Sequence, residues 1–196
     1  MRAKIFNYRL LTRGAVLLVE ALMLLLLPAS GHEPAAHAHA ALQSENVGVN
    51  GFYSLDKAQR GRVLQAAIVV DIPGGYHINA NRLIGKIGVP TSLKVEAPGG
   101  IRVGPIIYPR PVVRKLKFSD ERLALYEGRA VLRFNVSIPS NHGEGMTELR
   151  ARLRYQACND EVCFPPTTRE VTLPIGVVGP NDSVRHINGN IFGRRK

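Results

Sequence analysis

From Thr147 to Gln156 the chain alternates without a break: Leu149, Ala151, Leu153 and Tyr155 fall on one side, Arg150, Arg152, Arg154 and Gln156 on the other. Period two over this length commits the segment to a strand with one buried and one wet face. Val171, Leu173, Ile175 and Val177 repeat the pattern after a short interruption. That interruption holds both cysteines of the chain, Cys158 and Cys163, and closes on Pro165-Pro166. The pair therefore belongs on a turn between two strands, at a sheet's end and not in its core. Thiols so placed form a local staple or a site of disulfide exchange.

The segments before them read the same way. Arg62 to Ile72 is an apolar run that stops at Pro73-Gly74-Gly75, and Tyr76 to Asn79 is a short strand. Asn81 to Pro90 is a loop, and Thr91 to Glu96 a strand. Ile101 to Tyr108, broken by Gly104 and Pro105, is at best an edge strand. Arg110 to Ser119 is a basic, proline-punctuated loop. Arg122 to Tyr126 and Ala130 to Ile138 flank Glu127-Gly128 as a hairpin, the second strand turning Leu132, Phe134, Val136 and Ile138 inward. Residues 41–62 read as an irregular lead-in that docks through Phe52 and Tyr53, and the polar residues 179–196 as a mobile basic tail. Seven or eight short strands separated by Gly/Pro turns predict an all-β, antiparallel β-sandwich over residues 41–178. No amphipathic helical stretch follows residue 40, which argues against a thioredoxin fold.

Residues 1–40 set the compartment. Arg2, Lys4, Arg9 and Arg13 precede an apolar run from Gly14 to Leu27, and small residues lead to Ala36-His37-Ala38-His39-Ala40. That order describes a secretory signal peptide and processing linker, with cleavage after Ala38 or Ala40. The alternative is an uncleaved N-terminal anchor, although the run is short of the roughly 20 residues a spanning helix needs and Glu20 interrupts it. Either way the rest is exported, where disulfides form and persist. Two cysteines are too few for a disulfide scaffold, and the remaining chain is long enough to bury a core without one.

As a staple the Cys158–Cys163 bridge is poor: closing a loop of about six residues is worth only ~2 kcal/mol. For exchange, a short exposed loop gives an attacking thiolate access. Asp160 and Glu161 between the cysteines raise thiol pKa values, and no helix N-terminus opposes them. A modest nucleophile that depends on an activated partner is expected, with Cys163→Ser leaving Cys158 to capture that partner. Zinc is disfavoured because two cysteines lack further ligands at finger or ribbon spacing. His32, His37 and His39 stand among alanines in the processing linker, so no metal or other cofactor is expected. No Ser/His/Asp motif or paired-carboxylate pattern suggests a hydrolase.

Tyr155-Gln156-Ala157-Cys158, then Cys163-Phe164-Pro165-Pro166-Thr167 and an alternating strand, resembles the cysteine motif of a known family. That family is the periplasmic N-terminal domain of the thiol:disulfide interchange protein DsbD. Gly75-Tyr76-His77-Ile78-Asn79, Pro90-Thr91, Tyr108-Pro109 and Leu125-Tyr126-Glu127-Gly128 fit in order, so the resemblance spans residues 45–178. It implies an immunoglobulin-like sandwich whose redox pair, here Cys158 and Cys163, takes reducing equivalents from a membrane-embedded partner. The pair passes them to oxidised periplasmic proteins such as disulfide isomerases and cytochrome c maturation factors. It also implies an aromatic cap over the cysteines, for which Phe118 is the candidate; Tyr76, Tyr155 and Phe164 are candidate neighbours of the site. The cysteine spacing is one residue shorter than in the best-known members. The membrane and thioredoxin-like domains of full-length DsbD have no counterpart in these residues, so a separate membrane thiol transporter or thioredoxin-like protein is the expected donor.

The formal charge of +11 has two readings of its own. Arg110, Arg114, Lys115 and Lys117 beside the suspected cap, with Arg150, Arg152 and Arg154 on one strand face, suit an acidic partner or an anionic membrane surface. Alternatively they form a solvated face that discourages edge-to-edge pairing. Nucleic acid is not an expected partner outside the cytoplasm, and the interleaved aromatics of single-strand binders are lacking. Two functions thus stand: a disulfide-exchange domain, and an exported binding or assembly module whose disulfide is structural.

Overall fold

The computed structural model describes residues 47–193; the signal and linker at residues 1–40 lie outside them. Twelve strands form three four-stranded sheets among the described residues. The first sheet has the order β1 (Gly48–Tyr53), β3 (Val63–Asp71), β9 (Arg129–Ser137), β6 (Arg102–Val103). The second runs β2 (Ala58–Gln59), β12 (Thr167–Val178), β10 (Gly145–Tyr155), β5 (Ser92–Glu96). All pairings are antiparallel except β2 with β12. The alternating residues of β10 and β12 pair along the whole of β10, from Gly145↔Val177 to Tyr155↔Thr167. Leu149, Leu153, Tyr155, Leu173 and Ile175 join Ile68, Val70, Leu132, Phe134 and Val136 of the first sheet in one core. The chain is an all-β, immunoglobulin-like sandwich.

The two sheets approach closely where β1 crosses β12. A Cβ on Gly51 would collide with the Leu173 side chain, so only glycine fits there. Tyr53 spans the sheets, its hydroxyl donating to the Leu173 carbonyl at 2.8 Å, and burial pushes its pKa far up. Residues 48–53 are thus a paired strand and not an irregular lead-in, because their backbone completes the edge of β3.

A third, smaller sheet carries the cysteine turn: β11 (Ala157–Cys158), β4 (His77–Asn79), β8 (Arg122–Tyr126), β7 (Val112–Lys115). Two sequence expectations change here. β8 and β9 are not a hairpin, since β8 pairs with β4 and β7 while β9 pairs with β3 and β6. The chain switches sheets at Glu127-Gly128, where Gly128 takes φ 60° and its carbonyl accepts from Ile72 N at 2.6 Å. The basic loop at residues 110–119 contains an edge strand, β7, whose four residues are all exposed and therefore show no apolar periodicity.

The polar stretch after residue 178 is docked and not a mobile tail as far as residue 193. Its short helix α1 (Gly189–Phe192) lays Ile191 against Ala67 and Val69, on the outer face of β3. The Arg133 guanidinium donates to the Ile191 carbonyl at 2.6 Å, and Arg185 pairs with Asp56 at 2.9 Å. This second covered face explains why Ala66 to Val70 of β3 is an unbroken apolar run, buried at every residue.

Candidate functional site

The third sheet has two distinct faces, because directly opposed residues of paired strands share a face. Ile78, Ala80, Ala124, Tyr126 and Ala157 turn into the main core. The other face carries Asn79 opposite Leu125 and Leu125 opposite Val112, with Leu116, Leu123 and Phe118 gathered as a small separate apolar cluster. Cys158 lies on this second face, opposite His77 of β4. On its other side Cys158 stands opposite Cys163, so His77, Cys158 and Cys163 form one row across three adjacent backbones.

The two cysteines form a disulfide with Cα atoms 3.9 Å apart. The turn between them is built by its own polar groups. Asn159 Oδ1 accepts from the backbone N–H groups of Glu161 at 2.9 Å and Val162 at 2.8 Å, and Asn159 N donates to the Val162 carbonyl at 3.0 Å. Beyond Cys163, Phe164 N donates to the Ala157 carbonyl at 2.9 Å, closing a miniature hairpin.

The two sulfur-bearing residues differ in access. Cys158 is fully buried at 0% exposure, whereas Cys163 is half-buried. The expectation that both sit exposed at a sheet's end is corrected for Cys158, because its backbone is flanked by His77 of β4 on one side and by Cys163 on the other. The bond thus joins a fully buried residue to a half-buried one.

Gln156, one residue ahead of this pair, is the hub of the local polar network. Its Oε1 accepts from Val89 N at 2.8 Å and from Asn79 Nδ2 at 3.1 Å, and its Nε2 donates to the Phe164 carbonyl at 3.0 Å. Asn79 Nδ2 also reaches the Val89 carbonyl at 3.3 Å, and the Thr91 hydroxyl donates to the Asn79 carbonyl. Residues 80–90 are thereby tied down beside the cysteine turn. Tyr126 anchors their start by donating to Asn81 Oδ1 at 2.6 Å, and burial raises its pKa. Gly88, at φ 99°, passes so close to the Asn79 amide that a side chain there would clash.

The aromatic candidates separate. Phe164 is buried in the core and packs on the half-buried Tyr76, ring centroids 6.1 Å apart. Tyr155 is wholly buried in the core, where burial raises its pKa against the influence of Arg169. Phe118 shares the sheet face of the cysteines but packs on Leu116, Leu123 and Leu125. By register it sits toward the Arg122 end of β8, while Cys158 aligns with the Tyr126 end.

A cleft of 410 Å³ opens beside the cysteine turn, lined by Tyr76, His77, Arg114, Glu127 and Asp160 among others. Arg114 donates to Glu127 at 2.6 Å. Asp160 belongs to the turn between the cysteines, and both it and Glu127 act electrostatically on His77. Burial is the largest influence on His77 and lowers its pKa; the two carboxylates pull it back up and Arg114 opposes them. Among the described residues no group of three or more potential metal ligands gathers.

Sequence reasoning passed over three of these residues as chemistry: His77, Asn79 and Gln156. Each was inside a quoted motif. No signal in the alternation marked them, because all three fall on the face opposite Ile78 and Tyr155, where polar side chains are expected.

A family model described as "Thiol:disulfide interchange protein DsbD, N-terminal" matches residues 51–175. Among solved structures, the chain is similar to the DsbD N-terminal domain of Neisseria meningitidis in its reduced form, at 16% identity and TM-score 0.43, covering 82% of this chain and 98% of that one. It is also similar to the N-terminal periplasmic domain of ScsB from Proteus mirabilis, at 14% identity and TM-score 0.42, over 68% of this chain and 47% of that one. A family 123 glycoside hydrolase from Clostridium perfringens follows at 13% identity and TM-score 0.35, over 68% of this chain and 27% of that one. None of these reaches a TM-score of 0.5, so the family stands on the sequence match. No curated protein sequence matches the chain significantly.

Proposed function

The chain belongs to the family of the N-terminal domain of the thiol:disulfide interchange protein DsbD, and on that premise we propose that Cys158 and Cys163 are its exchanging pair. The domain is an exported, periplasmic member of a disulfide-exchange family. In this reading it relays reducing equivalents from a membrane thiol transporter or a thioredoxin-like donor to oxidised periplasmic proteins. It works as the protein-disulfide reductase component of a system with partners.

The observation that carries the reading is the unequal access of the two cysteines, Cys158 buried and Cys163 half-exposed. A donor thiolate attacks Cys163 Sγ, the S–S bond breaks, and its electron pair passes to Cys158 Sγ. The donor's second thiolate then attacks its own mixed-disulfide sulfur and releases Cys163, leaving a dithiol here and a disulfide on the donor. Delivery to a client is the same sequence reversed. The reachable sulfur makes Cys163 the capturing thiol, in place of the Cys158 suggested by the sequence.

Trapping tests this. Cys158→Ser should form a mixed disulfide through Cys163 with oxidised, disulfide-bearing periplasmic proteins, whose bond breaks and leaves their second sulfur as a thiol, and Cys163→Ser should form far less. Equilibration in glutathione or dithiothreitol buffers should place the couple between about −180 and −270 mV, among exchange proteins. A potential below about −300 mV, the range of structural disulfides, together with no adduct from either variant, would favour the binding-module reading instead.

A further inference from the structure

We propose that His77 is the proton partner of Cys158, taking up and returning a proton as the Cys158–Cys163 bond opens and closes. The inference rests on the exchange reading above and assigns a role within that site. His77 is 2% exposed and stands directly opposite Cys158 on the neighbouring strand, on the same sheet face. Its Nε2 is buried and has no hydrogen-bond partner among the described residues. A buried imidazole nitrogen left unbonded carries a desolvation cost, and here it belongs to the residue paired across the strands with a cysteine whose sulfur changes charge on reduction.

The need for a proton follows from burial. When the bond breaks, the electron pair lands on Cys158 Sγ, inside the protein, where a bare thiolate is disfavoured. The charged groups that face His77 are Glu127 beyond β8, Asp160 in the cysteine turn and Arg114 on β7. The cleft they line gives protons a route to the ring. In the disulfide form burial keeps the imidazole neutral near pH 7, since its pKa is lowered. A neighbouring thiolate reverses that balance by favouring the imidazolium. The protons then balance. Of the two lost by the donor dithiol, one ends on Cys163 and one is shared between Cys158 and His77.

The decisive experiment needs no variant. The His77 ring is titrated by NMR in the native protein, once as the disulfide and once after reduction with dithiothreitol. The reduced form should hold the His77 proton at least about tenfold more tightly, one unit of pKa. Equal affinity in the two states overturns the proposal. A second readout is the rate of reduction by dithiothreitol per unit of its thiolate, between about pH 5 and 8 where histidine titrates. That rate should rise as pH falls in the native protein and be flat in His77→Gln, with folding checked by circular dichroism. A flat native profile counts against the proposal. If dithiothreitol cannot reduce the folded protein at all, the exchange reading itself fails; if it reduces readily but His77 is indifferent to redox state, only this inference does.

Discussion

Replacing Gln156 with alanine removes the amide that joins residues 80–90 to the cysteine turn. Three hydrogen bonds go at once: from Val89 N at 2.8 Å, from Asn79 Nδ2 at 3.1 Å, and to the Phe164 carbonyl at 3.0 Å. Asn79 Nδ2 keeps the Val89 carbonyl as a partner, so it is not orphaned. Val89 N and the Phe164 carbonyl lose the partner described here. A buried polar group left unsatisfied costs about 1–3 kcal/mol; with Val89 only half-buried, two such losses put Gln156→Ala at about 2–4 kcal/mol.

The assay is urea unfolding of the oxidised protein followed by far-ultraviolet circular dichroism, with an unchanged slope required for the midpoint shift to be read as stability. Hydrogen exchange localises the effect, because the Val89 amide should lose protection while amides in the middle of β3 and β9 keep theirs. Freed residues 80–90 should also let dithiothreitol reduce the disulfide faster. A stability loss under about 0.5 kcal/mol, the level of an ordinary surface substitution, with Val89 protection intact, would mean the network is not what holds this loop.

Two further outcomes follow from the docked C-terminal segment. Ile191→Ala should cost about 2 kcal/mol, the low end for a buried isoleucine, because its cluster with Ala67 and Val69 is a small satellite of the core; an unshifted thermal midpoint would contradict the docking. Asp56 accepts from Arg185 N at 2.8 Å and pairs with its guanidinium, and the backbone bond is the largest cause of its lowered pKa. A carboxyl held low in the folded state stabilises above its unfolded pKa and loses that contribution as pH falls through the folded one. Amide protection of residues 185–187 should therefore decline on acidification below the ordinary carboxylate range, and Asp56→Asn should abolish that pH dependence.

The long alternating strands were legible because they have one buried and one wet face: Leu149 to Tyr155 and Val171 to Val177 show period two and pair as that pattern requires. β7 was not, since Val112 to Lys115 is exposed throughout and leaves no burial pattern to read. The Glu127-Gly128 crossing looks like a hairpin because strand–Gly–strand is the local signal, while the choice of partners is made by the long-range pairings of β3 and β4. The docking of residues 185–192 was hidden by composition. It depends on backbone groups and single side chains, Asn188 to the Tyr53 carbonyl at 2.9 Å for one, and no apolar run announces it. Within the site, the cysteine pair was evident from two thiols on one turn. The burial of Cys158 was not, because it depends on β4, which lies far away in the sequence.

An immunoglobulin-like scaffold brings no helix N-terminus to its cysteines; the only helix among the described residues, α1, packs on β3. It therefore lacks the usual device for lowering a thiol pKa, and Asp160 in the turn works in the opposite sense. What the fold supplies is placement. Phe164 N to the Ala157 carbonyl, Gln156 to the Phe164 carbonyl and the pairing of β11 with β4 all hold the turn without using the sulfurs. After reduction the two thiols remain across one turn, so reclosing the bond is an intramolecular step between pre-positioned atoms. Such a site gains little reactivity of its own and is well suited to returning electrons quickly once a partner's activated sulfur engages Cys163. In the proposed relay its rate would then be governed by the partner's thiol chemistry.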